Sequence, residues 1–385
     1  MLSLPVYLDN HSTTRPDPRV VEAMMPYFTT HYGNAASLSH KYGWEASDAV
    51  EHAREQVAGL IGAEAREVVF TSGATESNNL AIKGVIGALR TQGNHLVTAA
   101  NEHKAVLDPF KRLAREGWGV AAVTPDVFGS VSAETIANAL NDRTVLVSVM
   151  AANNEVGTIN DVAEIGRLCR SRGIVFHSDA TQAVGKIPFD VRETQVDLLS
   201  LSAHKFHGPK GIGALYISRK CGARVVPLFE GGGQEWGVRS GTLAVPLIVG
   251  LGVAAEIARN ERDVEAVRVQ SLRDRLHQAM LAKLDAVNLN GHPVQRLPGN
   301  LNVSFAGVDG EALMMGLRDI AVSSGSACTS ANPEPSHVLR SMGVDEALAR
   351  ASLRFGLGRF TTLEEVDFAA EVVSRTVRRL RSTRV

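Results

Sequence analysis

Two side chains near the middle of the sequence could do chemistry together. Asp179 stands in His177-Ser178-Asp179-Ala180-Thr181-Gln182-Ala183, and Lys205 in Ser202-Ala203-His204-Lys205-Phe206-His207-Gly208-Pro209-Lys210-Gly211. A lysine amine can hold an aldehyde cofactor as a Schiff base. A carboxylate facing a pyridine nitrogen keeps that nitrogen protonated, so the ring draws electrons. A strand-end Asp followed by a Lys in a turn of small residues therefore suits pyridoxal phosphate. Taken singly, a Lys is a solvated charge and an Asp after a strand caps a helix. The surroundings argue for more. Thr194 to Ser202 reads as a short apolar strand ending in small polar residues, and Gly208 to Ile217 as a Gly-rich turn into another strand.

Cys328 is a second reactive candidate. It lies in Ser323-Ser324-Gly325-Ser326-Ala327-Cys328-Thr329-Ser330-Ala331-Asn332-Pro333-Glu334-Pro335, a loop composition. A thiol on a loop is a hazard unless it is used. The other two cysteines read differently. Cys169 falls in the helical pattern Ile165-Gly166-Arg167-Leu168-Cys169 as a small core residue, and Cys221 follows Arg219-Lys220 in a surface turn. Arg354, in Ser352-Leu353-Arg354-Phe355-Gly356, is the third candidate, because a guanidinium grips a carboxylate through two parallel donors. Spacing alone leaves open a surface arginine on a strand.

The elements that must position these groups alternate. Strand patterns occur at Glu67–Phe70, His95–Thr98, Gly119–Val123, Thr144–Val149 and Gly173–His177, with helical patterns such as Ser132–Leu140 and Val162–Arg172 between them. Alternation of this kind predicts an α/β fold, a mostly parallel sheet with helices on both faces and ligands at the carboxyl ends of its strands. One such end, Thr71-Ser72-Gly73-Ala74-Thr75-Glu76-Ser77-Asn78-Asn79, leads into an apolar helix and offers free amides to an anion, for which phosphate is the natural guest. Val264–Leu284 reads as one amphipathic helix, followed by the strand Leu301–Phe305 and further helices, a second and smaller α+β domain.

Composition narrows the classes. The chain has 385 residues, is 44% hydrophobic and carries a net charge of −1, enough for a large core and without a basic stripe for nucleic acid. No uncharged run reaches membrane-spanning length, and Met1-Leu2-Ser3-Leu4-Pro5 does not read as a signal peptide. Three scattered cysteines argue against a zinc site or disulfide framework, and for a reducing cytoplasm.

Together these segments resemble the cysteine desulfurases of fold-type I, in the class V aminotransferase superfamily, from Tyr7-Leu8-Asp9-Asn10 to Arg359-Phe360-Thr361-Thr362. The loop Ser324-Gly325-Ser326-Ala327-Cys328 is similar to that of the group I (NifS/IscS) branch. The resemblance implies a large domain over residues 15–255 that binds pyridoxal 5'-phosphate. It also implies a small domain, from residues 1–14 and 256–385, that carries the catalytic Cys loop. It implies that Lys205 holds the cofactor and later moves the substrate proton, that His103 stacks on the ring, that Asp179 pairs with the ring nitrogen and that Gln182 bonds the phenolate oxygen. Ala74, Thr75, Ser202 and His204 would hold the phosphate. Thr242 would reach the phosphate of a second subunit, which implies a homodimer with shared sites. Asn154 and Arg354, with Asn34 nearby, would bind the carboxylate of L-cysteine. The reaction implied releases alanine and leaves the sulfur as a persulfide on Cys328, for transfer to an acceptor such as an iron–sulfur scaffold or a SufE-like protein. No metal site is implied.

The chain departs from that pattern in three places. His11 and Ser12 stand where the family more often has Asn or Ser and then Ala; the His reads as a packing residue, with proton tuning near the site's mouth as the alternative. Trp236 stands where Arg is usual. The chain ends at Arg384-Val385, where relatives carry a longer scaffold-docking tail, so scaffold transfer is in question. Three rival functions share these residues: a selenocysteine lyase, an aminotransferase or β-lyase for which Cys328 is incidental, and a cofactor-bearing sulfur-relay subunit that needs a partner.

Overall fold

The computed structural model describes residues 2–222, 224–324 and 335–383. After a two-residue strand, β1 (Val6–Tyr7), the chain builds a seven-stranded sheet. Its strands are β2 (Val68–Thr71), β3 (His95–Ala99), β4 (Gly119–Val123), β5 (Thr144–Ser148), β6 (Val175–Asp179), β7 (Leu198–Ser202) and β8 (Gly213–Ile217), ordered β2-β8-β7-β6-β5-β3-β4. The five strands from β3 to β7 run parallel, and β8 is antiparallel to both its neighbours. Every residue of β5, β6 and β7 is buried, as a sheet covered on both faces requires. Two of the crossover helices are started by side-chain caps, Ser132 accepting from the Thr135 amide and Asp161 from that of Glu164.

The expected helix Val264–Leu284 is the second half of a single 37-residue helix, Val245–Leu281, about 55 Å long. Its Gly- and Ala-rich first half packs against the helices Lys41–Ile61 and Pro18–Met24, where small residues permit close approach: a Cβ at Gly252 would lie 2.6 Å from the Ala53 backbone. Val269, Leu272, Leu276 and Met280 belong to a different core, shared with Val6, Leu8 and the helix Leu363–Ser382. That second core also covers a three-stranded antiparallel sheet of β9 (Val287–Asn290), β10 (Asn300–Phe305) and β12 (Ser352–Gly356), while β11 (Ile320–Ala321) pairs with β1. The polar stretch between the halves does not break the helix. It carries ion pairs instead, Glu261 to Arg19 at 2.6 Å and Glu265 to Arg359 at 2.7 Å. No helix of the described residues is long and apolar enough to cross a membrane.

One buried ion pair ties the segment before the long helix to the sheet. Arg54 donates through both terminal nitrogens to Glu235 at 2.8 Å and to the Val68 carbonyl at 2.7 Å, and Glu235 also accepts from the Phe70 amide at 2.7 Å. The guanidinium lies between the rings of Phe70 and Trp236, at 4.6 and 4.7 Å. Trp236 thus covers Arg54, and Glu235 and Trp236 keep φ values of +50° and +55° to do so. Removing the carboxylate leaves the buried cation only the exposed Glu51, 3.1 Å from Nε, as a counter-charge. Glu235→Ala is expected to lower stability by about 3–5 kcal/mol, measured as the denaturant midpoint by circular dichroism; an unshifted midpoint would contradict this account of the pair.

Candidate active site

The carboxyl ends of β3, β5, β6 and β7 share one edge of the sheet, and β2 ends there too because β8 reverses direction twice between them. This edge collects the residues singled out from sequence. His103 follows β3, Asn154 follows β5, Asp179 ends β6, Ser202 ends β7 with Lys205 in the turn after it, and Ala74 and Thr75 open the helix after β2.

Asp179 is 6% exposed, and both its oxygens are held. Oδ2 accepts from the Asn78 amide at 2.7 Å and Oδ1 from the Thr181 backbone at 3.0 Å. Behind it His177 bridges the hydroxyls of Ser148 and Ser200 at 2.8 and 3.0 Å, and burial pushes its pKa down to about 4, so the imidazole is neutral. Burial and the Asp179 charge drive the Glu102 carboxyl well above its ordinary range, so it stays protonated. Its Oε1 accepts from the Met150 amide.

Lys205 is bonded to a backbone turn of the N-terminal segment. Nζ donates to the carbonyls of His11 at 2.8 Å and Ser12 at 2.7 Å. Gln182 donates to the same His11 carbonyl at 2.9 Å, while its own oxygen accepts from Lys186 at 2.5 Å. Burial and the Lys205 charge hold the Lys186 amine well below its usual pKa. The turn is seated on β12: Asn10 donates to the Gly356 carbonyl at 2.8 Å, and a Cβ at Gly356 would lie 2.7 Å from the His11 ring. His11 is 2% exposed, so it packs within the fold and not at a mouth. Burial, then Lys186, keep its imidazole uncharged.

The phosphate loop fits its expected use. Gly73 has φ +143° and comes so near Gly213 that a Cβ there would lie 2.7 Å from it. The helix Ala74–Leu89 then starts without a side-chain cap, leaving its first amides to a ligand. Ser202 faces this loop, and His204 pairs with the Thr13 hydroxyl at 3.1 Å. Burial and nearby lysines push His204 down to about 4. His103 caps the helix Lys104–Arg115: its Nδ1 accepts from the Ala105 amide at 3.1 Å, which puts the proton of the neutral ring on Nε2.

Arg354 is 3% exposed on β12. Nη2 donates to Asp9 at 2.8 Å and to the Ser12 hydroxyl at 2.7 Å, and Nη1 to the Asn154 carbonyl at 2.9 Å. Its Nε and the Asn154 side-chain oxygen are buried without partners. Cys328 lies outside the described residues, but both flanks of its segment are placed. Ser323 pairs with Arg354 through two backbone bonds of 2.7 and 3.2 Å. On the far side Ser336 donates to Glu155, and His337 donates to the Glu102 carbonyl at 2.9 Å. Asn34 and Thr242 stand elsewhere, both exposed. Asn34 lines a hollow of about 220 Å³ with Trp236 and Leu243, beside the Thr242 segment and not beside Arg354.

Sequence reasoning missed Asn78, Lys186, Asp9 and Glu155. Asn78 had a readable signal, since it falls one turn after Ala74 on an otherwise apolar face. Asp9 and Lys186 had none, because their partners are distant in the chain.

The donor set fits pyridoxal phosphate. It combines a capless helix start for a phosphate, an Asp whose oxygens retain lone pairs for a ring N–H, and an amine among carbonyls. Fold and site together define a fold-type I enzyme of the pyridoxal-phosphate class. The family model described as Aminotransferase class-V matches residues 6–368. A "Cysteine desulfurase IscS" of Anaeromyxobacter dehalogenans (strain 2CP-C) is 59% identical over 99% of this chain and 94% of that protein. One from Rickettsia bellii (strain OSU 85-389) is 54% identical over 99% of this chain and 93% of its own length. A solved NifS-like protein is similar at 40% identity, with a TM-score of 0.91 over 98% of this chain and all of that one. The solved structure "SspA in complex with cysteine" is 36% identical, with a TM-score of 0.82 over 93% of this chain and all of that one. The chain therefore belongs to the class-V aminotransferase family, and within it to the NifS/IscS cysteine desulfurases.

Glu155 gives the site a titratable anchor. It is 4% exposed, and burial pushes its carboxyl up from 4.5 to about 7. Between those values the folded protein keeps a proton that the unfolded chain has released. Stability therefore falls as pH rises through that window and levels off above it. Glu155→Gln, which still accepts from Ser336, removes this dependence. The stability of the variant relative to wild type is expected to rise by about 2 kcal/mol between about pH 5 and pH 8, read from denaturant midpoints; parallel pH profiles would rule the effect out.

Proposed function

We propose that the chain is an L-cysteine desulfurase that carries pyridoxal 5'-phosphate between Asp179 and Lys205 and collects the sulfur on Cys328. The observation that carries this reading is the convergence of Lys205, Asp179 and the phosphate loop on one sheet edge, where Arg354 of β12 bonds the Asn154 carbonyl, in a chain of this family. Bound pyridoxal phosphate supplies an electron sink for the bonds broken at the substrate's α-carbon. The roles of the protein groups follow from their placement. The amides of Ala74 and Thr75, with Ser202 and His204, hold the phosphate. Asp179, steadied by Asn78, holds the ring nitrogen. Gln182 donates to the phenolate oxygen and His103 covers the ring face with an Nε2–H donor. Arg354 and Asn154 hold the substrate carboxylate.

Lys205, already among carbonyls that accept its protons, removes the α-proton and returns it. The Cys328 thiolate attacks the substrate sulfur; the carbon–sulfur bond breaks and its electron pair stays with the carbon, which takes up a proton. L-cysteine and the Cys328 thiol become L-alanine and a Cys328 persulfide, with no outside oxidant. The persulfide passes to an acceptor protein, an iron–sulfur scaffold or a SufE-like partner, in the cytoplasm. A homodimer brings Thr242 to the phosphate of the second subunit.

The test is to treat the protein with sulfur-labelled L-cysteine and map the label. It is expected on Cys328, one equivalent per chain, with stoichiometric alanine. Lys205→Ala should lose the visible cofactor band and at least about 10²-fold in alanine formation. Cys328→Ser should keep the band and form no persulfide. Label on Cys169 or Cys221, or full alanine release by Cys328→Ser, would overturn the assignment, and pyruvate in place of alanine would make the enzyme a β-lyase.

A further inference from the structure

Arg354 has fewer donors to offer than its position suggests. A guanidinium carries five N–H donors. Three are committed within the chain: Nη1 to the Asn154 carbonyl, and Nη2 to both Asp9 and Ser12. Both protons of Nη2 are therefore in use. An arginine meets a carboxylate side-on through the edge formed by Nε and Nη2. On that edge only the Nε proton is open, and that nitrogen is buried without a partner. A carboxylate seated there finds one guanidinium donor in place of two.

Ser12 can supply the second. Its hydroxyl accepts from Nη2 at 2.7 Å, which uses a lone pair and leaves its own proton to rotate. The residue is held from both sides. Its carbonyl accepts from Lys205 at 2.7 Å, and its amide donates to the Asp9 carbonyl at 3.0 Å. The hydroxyl thus stands between the Lys205 amine and the substrate arginine, half-buried. It is also one of the positions where the chain departs from the pattern it resembles, in which Ala is more frequent and no hydroxyl is present.

We propose that Ser12 is a specificity-determining residue: its hydroxyl donates to one oxygen of the substrate α-carboxylate while Arg354 Nε donates to the other. The inference rests on reading Arg354 and Asn154 as the carboxylate site. A site built this way rejects thiol amines that lack the carboxylate, because the buried Nε and the hydroxyl are then left unpaired.

The probe is 3-mercaptopropionate, which has the thiol and carboxylate of the substrate but no amine to link to the cofactor. Its dissociation constant from the holoenzyme is measured by calorimetry, beside KM for L-cysteine and for cysteamine. Ser12→Ala is expected to weaken 3-mercaptopropionate about tenfold, as for one hydrogen bond to a charged group. KM for L-cysteine should rise by the same factor, with the loss on KM rather than kcat, and KM for cysteamine should not move. A crystal structure of Ser12→Ala should keep Arg354 on Asp9 and Asn154. An unchanged dissociation constant, an equal loss with cysteamine, or a displaced guanidinium overturns the proposal. Arg354→Lys and Asn154→Ala test the underlying reading separately. If both bind the probe like wild type, the carboxylate site itself is wrong; if they weaken it and Ser12→Ala does not, only Ser12 falls.

Discussion

The carbonyl groups of His11 and Ser12 are the constraint on which the site depends. They accept from Lys205 and, through His11, from Gln182, so one short turn fixes two residues of the large sheet. The same turn is bonded to β12 through Asn10 and to Arg354 through Asp9 and Ser12. A segment from the start of the chain therefore joins the cofactor wall to the substrate wall. Gly356 is required for that seat, since its missing Cβ is where the His11 ring and backbone lie. The geometry of the reaction rests on a backbone contact that no single catalytic side chain provides.

Electrostatics follow from what is kept neutral around this turn. His11, His177 and His204 are all held uncharged by burial, and Glu102 stays protonated. The charged groups left on the edge are then few. Asp179 ends β6, Lys205 follows β7, and Arg354, countered by Asp9, reaches in from β12. Buried neutral groups cost less than buried ions and leave the field of the remaining charges unshielded.

The parallel sheet and its ligand edge were legible because period and alternation report burial directly. Gly119–Val123 has the expected bounds, and His95–Ala99 and Asn300–Phe305 differ by one residue. The 37-residue helix was not legible as one element. Its Gly- and Ala-rich first half and charged second half face different cores, so no single amphipathic period runs through it. Lys205, Asp179 and the Gly73 loop were legible because their chemistry needs small neighbours and strand ends. Asp9, Ser12 and Lys186 were not, because each acts through a partner that only the fold brings near. His11 is the opposite case: it reads as a packing residue from sequence and is buried under the turn.

The flanks of the Cys328 segment extend this logic. Ser323 leads into the segment just after β11, paired through its backbone with Arg354 of β12, and Ser336 leaves it bonded to Glu155, the neighbour of Asn154. Each anchor thus adjoins a residue proposed to bind the substrate carboxylate. His337 adds a bond to the carbonyl of Glu102, next to His103. The described residues on either side of the segment are therefore bonded beside Arg354 and Asn154, and next to His103, the residue proposed to cover the ring. A persulfide-forming cysteine has to meet the substrate sulfur while the carboxylate is held. The described flanks are bonded to Arg354 and to the neighbour of Asn154, the two residues proposed to hold that carboxylate.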